Sequence, residues 1–245
     1  MTSTPQTGPG TAPDERPLNL AEYFLLLDLD ESGGRLLLDS STSGLALAGA
    51  VLADLAGRGH LHVTRDEVHP VQVADGASGA TEPERPLAQV LQIITDHGRD
   101  HAPRDAEQWI NRFSRAELRD ALLQSLEGRG IIEHKEGKVL GLFRRERYPE
   151  TDPNPELDLR ARIGEVLYGG AAPDAVTWPL LSLLRSTRLL QVVFPDRHQA
   201  DLRAVAATPV GDPSTRASVA EALQATENAI AEYLVATTGG ASALD

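Results

Sequence analysis

The sequence predicts a mainly α fold: a compact single helical domain with small β-hairpins. Three observations carry this. Apolar residues recur at helical spacing through most long segments. Strand-like runs are few and short. The core must be built from Leu, Val and Ala, because aromatic residues are only 4% and cysteine is absent from the 245 residues. A chain of this length buries a core without disulfides or a metal staple.

Residues 1–17, MTSTPQTGPGTAPDERP, hold almost nothing to bury and read as a disordered tail. Leu18 to Leu27 reads as a short apolar helix, broken by DLDESGG, and Arg35 to Asp39 as a strand. Leu45, Leu47, Val51, Leu52 and Leu55 predict a helix through an Ala-rich stretch, closed by Gly57-Arg58-Gly59. HLHVT and VHPVQVA read as two strands split by Arg65-Asp66-Glu67, and 76–86 as a polar loop. Leu87, Val90, Leu91 and Ile94 predict another helix, and Asp105 to Phe113 a short one.

Ser114 and Glu117 then read as an S-x-x-E capping box opening a helix through Leu118, Leu122, Leu123 and Leu126. Gly128 and Gly130 end it. Ile131-Ile132, a polar turn around Gly137, and Val139 to Phe143 predict a β-hairpin. Pro149, Pro153 and Pro155 mark a long turn. Helical stripes follow at Leu159, Ile163, Val166 and Leu167, at Pro179 to Leu184, and at Leu189 to Phe194. The last runs through Val219, Leu223, Thr226, Ile230 and Leu234. The folded unit is expected over 18–236, with 237–245 as a flexible C-terminus.

The formal net charge is −13, which argues against general nucleic-acid binding, since phosphates are repelled over most of the surface. The longest unbroken apolar run, Tyr23 to Leu27, falls far short of the roughly 20 residues that span a bilayer. The chain is therefore expected to be cytoplasmic, with any membrane contact peripheral.

Motifs for catalysis are missing. No G-x-S-x-G elbow, phosphate-binding G-x-x-x-x-G-K or post-strand G-x-G-x-x-G is present, so the chain is not read as an enzyme and no cofactor is implied. Asp28, Asp30, Ser32, Gly33 and Asp39 partly follow a calcium loop, but Asp39 stands where a bidentate Glu belongs. A polar turn is the better reading. His60 and His62 alternate on a strand. His97 and His101 are four apart with no third ligand nearby, and read as surface histidines rather than a metal site.

The informative region is 112–147. Nine basic and six acidic residues give it +3 in a chain of −13. Arg112, Arg115 and Arg119 gather near the start of the capped helix, where free N–H groups and the positive dipole end favour anions. Arg129, Lys135, Lys138, Arg144, Arg145 and Arg147 follow. Val139, Leu140, Leu142 and Phe143 set an apolar patch beside Arg144 and Arg145, suited to a membrane surface or a protein partner docking on the 131–148 hairpin. A solvated face whose arginines pair with acids is the competing reading. Helix followed by hairpin also describes a winged helix, but Glu117, Asp120 and Glu127 on the would-be recognition helix would face phosphate.

Over about 18–236 the chain resembles the Golgi phosphoprotein 3 family, particularly its shorter bacterial members. LNLAEYFLLLDLD, GLALAGAVLADLAGRGHL, Gln108-Trp109-Ile110, LEGRGII, GLF with Tyr148-Pro149, and LLSLLRSTRLLQVVF carry the likeness in order and spacing. The resemblance implies a non-enzymatic helical module. In eukaryotic members it binds phosphatidylinositol 4-phosphate on Golgi membranes and bridges enzymes to the trafficking machinery. The family's headgroup site uses a Trp and an Arg around the small-residue helix and two Arg three apart before the hairpin. On this sequence Arg119 matches the second of that pair. The first falls on Ala116, the helix Arg on Ala48, and the Trp near Leu38 or Asp39. Arg115 is the residue placed to stand in. The expected ligand is an anionic, phosphoinositide-like headgroup. The alternatives are a winged-helix-like nucleic-acid or protein adaptor, or a protein-only scaffold.

Overall fold

The computed structural model describes residues 16–30, 33–71, 82–139, 143–168, 170–195 and 212–239. Helices α1 (Leu20–Asp28) and α2 (Ser40–Gly57) come first, then strands β1 (Leu61–Val63) and β2 (Val68–Pro70). Helices α3 (Arg85–Asp100), α4 (Ala106–Phe113) and α5 (Ala116–Gly128) precede β3 (Lys135–Val139) and β4 (Phe143–Arg147). Helices α6 (Asn154–Tyr168), α7 (Thr177–Ser186) and α8 (Leu190–Val193) follow, and α9 (Pro213–Gly239) closes the chain. Each strand pair is an antiparallel two-stranded sheet. The architecture is mainly α with two small hairpins, as the periodicity predicts.

Helix α2 lies at the centre, touching α1, α3, α4, α5, α7, α9 and β1. Its residues Thr42 to Ala56 are all buried. Small side chains make this possible by letting neighbouring backbones come close. A methyl group on Gly49 would sit 2.0 Å from Oγ1 of Thr226 on α9, and one on Gly44 would sit 2.2 Å from the Ser114 carbonyl oxygen at the α4–α5 junction. Thr226 is itself fully buried and donates to the Ala222 carbonyl at 2.7 Å.

Four sequence expectations change. Arg35 to Asp39 is not a strand. A single Leu29–Leu36 bridge forms there, and Asp39 caps α2 by accepting from the Ser41 and Thr42 N–H groups, both at 3.0 Å. The Ser114–Glu117 capping box does not form. Ser114 terminates α4 instead, its N–H donating to Ile110 and its hydroxyl to Asn111. Gly137 lies inside β3, paired with Arg145, rather than in a turn, while buried Ile131 and Ile132 join the core. Helix α9 continues through Gly239, past the expected end of the folded unit. Residues 1–15 of the expected tail lie outside the described residues, as does most of the polar loop.

Buried acids tie the helices together. Asp28, fully buried, accepts from Ser43 Oγ at 2.7 Å and from the Leu38 N–H at 2.9 Å, linking the end of α1 to the start of α2. Burial pushes its carboxyl up to about 6, against the opposing hydrogen bonds. Asp54 accepts from the Leu20 N–H at 2.7 Å and pairs with Arg58, which also reaches Glu84 at 3.1 Å. Asp174 goes the other way. Burial raises it, but the Thr177 and Val176 N–H groups, the Thr177 hydroxyl and Arg162 outweigh that and bring it to about 2.

Two outcomes are expected. Gly49→Ala should lower unfolding free energy by about 1–3 kcal/mol despite alanine's better helix propensity, because Thr226 cannot yield easily. Thr226→Ala in the same chain should recover part of that loss in a double-mutant cycle by chemical denaturation. The second concerns pH. A carboxyl raised in the folded state opposes folding while ionised, so stability should rise as pH falls from about 7 to about 5, with the Asp28 share of order 1–3 kcal/mol. Thermal melts of Asp28→Asn should lose part of that rise. Below about pH 4 the depressed Asp174 reverses the trend, its contribution fading as pH falls through its folded value.

Candidate functional site

The expected anion site is built on the junction of α4 and α5. Arg115 occupies the N-cap position of α5 in extended backbone conformation, and no side chain caps the helix. Its guanidinium is exposed and forms no ion pair among the described residues. Arg119 is on the first turn and a half. Its side chain is 21% exposed and meets the neighbouring Asp120 carboxylate loosely, at 3.5 Å. A pair this loose, with its acid exposed, contributes little and leaves the guanidinium able to exchange partners.

Tyr148, just past β4, lies within the field of Asp120 and Arg119. Burial raises its hydroxyl to about 12, reinforced by the Glu146 carboxylate that it bonds at 3.1 Å. Tyr148 is held against the α1–α2 loop, its N–H donating to the Gly34 carbonyl at 2.8 Å. That contact needs glycine: Gly34 has φ 63°, and a Cβ there would lie 2.1 Å from the Tyr148 carbonyl carbon. The loop before α2, the first turns of α5 and the exit of the hairpin are thereby assembled at one place. Beside the junction, Ser41, Leu45, Asn111, Ser114 and Tyr233 contribute to a cleft of about 460 Å³.

Arg112 does not join them by any contact. It sits on the last turn of α4, its guanidinium carbon 5.9 Å from the centre of the Trp109 ring. The basic island of 129–147 is also divided. Arg129 turns inward, 12% exposed, toward the fully buried Glu22 carboxylate at 3.5 Å and the Arg16 carbonyl. Lys135 pairs with Glu133 at 3.0 Å. The β3–β4 register sets Lys135 opposite Arg147, Glu136 opposite Glu146, and Lys138 opposite Arg144. Like charges directly opposite weaken a hairpin. Leu140 and Leu142 of the expected apolar patch lie outside the described residues. For Val139, Phe143, Arg144 and Arg145 the description reaches the backbone alone, which pairs Val139 with Phe143 and Lys138 with Arg144.

The calcium-loop acids are committed elsewhere. Asp28 holds Ser43, Asp30 pairs with Arg35 at 2.9 Å, and Asp39 caps α2. Among the described residues no group of three His, Asp or Glu is placed to hold a metal ion. His60 is buried ahead of β1 while His62 is exposed, so the two do not share an open face. Ser218 meets His62 Nδ1 at 3.2 Å, a serine–histidine contact that sequence reasoning missed because 156 residues separate the pair. The serine is buried and accepts from the Val63 N–H at 3.3 Å, and no acid orients the imidazole among the described residues. It pins β1 to α9.

The model of the family described as Golgi phosphoprotein 3 (GPP34) matches residues 20–230. The chain belongs to the Golgi phosphoprotein 3 family. No curated protein matches it. Membership supports a non-catalytic module. In this Golgi phosphoprotein 3 domain Ala48, the position of the resembled helix arginine, is fully buried, with no room for a guanidinium. No helix among the described residues is long and apolar enough to cross a membrane.

Arg129 and Arg119 should separate in experiment. Removing Arg129 leaves the Glu22 carboxylate buried without its cation, so Arg129→Ala should cost about 3 kcal/mol or more of stability. Arg119→Ala, at a part-exposed position with one loose partner, should cost about 1 kcal/mol or less. Denaturant titration of both variants checks the ordering.

Proposed function

We propose that this protein is a non-catalytic, peripheral binding module for an anionic, phosphoinositide-like headgroup, held at the start of α5. The observation that carries the reading is the uncapped N-terminus of α5, with Arg115 at its N-cap and Arg119 beside it. The first N–H groups of a helix lack partners within it and carry its positive dipole end. Guanidinium groups add paired donors matched to phosphate oxygens. Family membership supports a binding role, and the resemblance suggests phosphatidylinositol 4-phosphate as the first ligand to test. The site differs from the family pattern at Ala48 and Ala116, so selectivity among phosphoinositides is expected to be looser than the resemblance alone implies. The hairpin at 131–148 is the companion surface, approaching lipid or a protein partner beside the headgroup.

Co-sedimentation with phosphatidylcholine vesicles carrying phosphatidylinositol 4-phosphate, phosphatidylserine or neither tests this. Binding should require the anionic lipid and fall as salt rises. Arg119→Ala should weaken it about tenfold, and Arg115→Ala by less, since charge-assisted bonds contribute roughly 1.5–3 kcal/mol each and Arg115 is the more exposed. Arg119→Ala pelleting like the parent would defeat the site. A DNA mobility shift at matched salt without vesicle binding would favour the winged-helix alternative.

A further inference from the structure

A second cationic cluster lies on the other side of Arg112, around Trp109. Trp109 is 1% exposed. The Arg104 guanidinium carbon lies 5.3 Å from its ring centre, and that of Arg112 5.9 Å. His97 meets the indole edge-on at 5.2 Å, and His101 stacks on His97 at 4.7 Å with the rings 6° from parallel. Attraction of a cation to an indole face explains why a guanidinium rests there. It does not explain why four basic groups gather, since each opposes the charging of the next.

None of the four forms an ion pair among the described residues, in a chain with 36 acids and 23 lysines and arginines. Two of the nearby acids are engaged elsewhere, and Asp100, next to His101, forms no ion pair with the cluster among the described residues. Asp96 pairs with Arg99 at 2.8 Å, and Asp105 caps α4 by accepting from the Gln108 N–H at 2.8 Å. The C-terminal dipole of α3 favours His97 and His101, but Arg104 and Arg112 lie beyond that helix. The crowding registers on His97. Desolvation, then the charges of Arg104, His101 and Arg112, hold its imidazole below the usual range, against the support of the Ala102 carbonyl. The indole N–H of Trp109, the ring around which the cluster gathers, is buried with no acceptor among the described residues.

We propose that His97, His101, Arg104 and Arg112 form a second anion site, separate from the start of α5, that takes a phosphate monoester. A dianion set among these groups would neutralise the mutual repulsion of the arginines, accept from guanidinium and imidazole N–H groups together, and stabilise the protonated imidazoles. The phosphate could be carried by a soluble metabolite or by a lipid headgroup. The same donors serve either.

Trp178→Phe leaves Trp109 as the chain's lone tryptophan. Full-length protein with this substitution is titrated with glycerol 3-phosphate, and separately with phosphatidylcholine vesicles containing phosphatidic acid. The expected result is a saturable change in Trp109 emission, with the His97 ring resonances moving toward the protonated form. Arg104→Gln and Arg112→Gln should each weaken binding about tenfold or more. Arg119→Ala should leave the Trp109 response to glycerol 3-phosphate unchanged, which separates this site from the one at α5. Saturation by glycerol 3-phosphate identifies a soluble phosphate ligand, and saturation by the vesicles alone identifies the headgroup. Should an arginine variant unfold in a thermal melt, His101→Gln, at an exposed position, gives the same reading with a several-fold loss. No saturable response to either probe, or equal affinity in the parent and the folded variants, overturns the proposal.

Discussion

The closeness with which other helices can approach α2 governs this structure. A helix surrounded on all sides needs small residues where neighbouring backbones cross, and α2 supplies them at Gly44, Ala46, Ala48, Gly49, Ala50 and Ala53. Gly49 lets α9 seat Thr226, and Gly44 lets the α4–α5 junction rest on the first turns of α2. The second contact matters for function. It places the uncapped start of α5 beside the loop that enters α2, where Gly34 and Tyr148 bring in the hairpin exit. Packing of small residues in the core thus fixes where a surface site can exist.

The same crowding explains the unusual number of buried carboxylates. Glu22, Asp28 and Asp54 are each almost fully buried. Each spends its oxygens on backbone N–H groups, hydroxyls or arginines from other elements: Asn19 and Ser125 for Glu22, Leu38 and Ser43 for Asp28, Leu20 and Arg58 for Asp54. Bonded this way, a buried acid orients helix termini that apolar contact alone would leave free to slide. The cost is a set of carboxyls held above their ordinary range by burial.

Beside the basic residues in exposed ion pairs, two kinds of arginine stand out. Arg58, Arg129 and Arg160 are at least three-quarters buried side chains that neutralise interior acids. Arg104, Arg112 and Arg115 have no carboxylate among the described residues, and Arg119 has only a loose one. On an acidic body the second kind marks where anions can approach. Arg112 belongs with Trp109 rather than with Arg119, so the run Arg112, Arg115 and Arg119 is two neighbourhoods joined by Ser114.

Local periodicity determined most of the helices, because an apolar stripe must be buried whatever it packs against. The Gly57-Arg58-Gly59 stop and the end of α5 before Gly130 were legible for the same reason: they act within one turn, whereas Arg85 and Pro86, read as loop, open α3. The family's order of elements was legible too, and with it Arg119. What the sequence could not decide were choices between equally plausible partners. Ser114 could open α5 or close α4, and only the approach of α2 through Gly44 placed it at the α4 end. Gly137 could turn the hairpin or sit within it, and the pairing of Lys135 with Arg147 settled the register. Arg129 could face solvent or Glu22, more than 100 residues away in sequence. Such outcomes depend on contacts between distant segments, which carry no local signature and exist only once the core has closed.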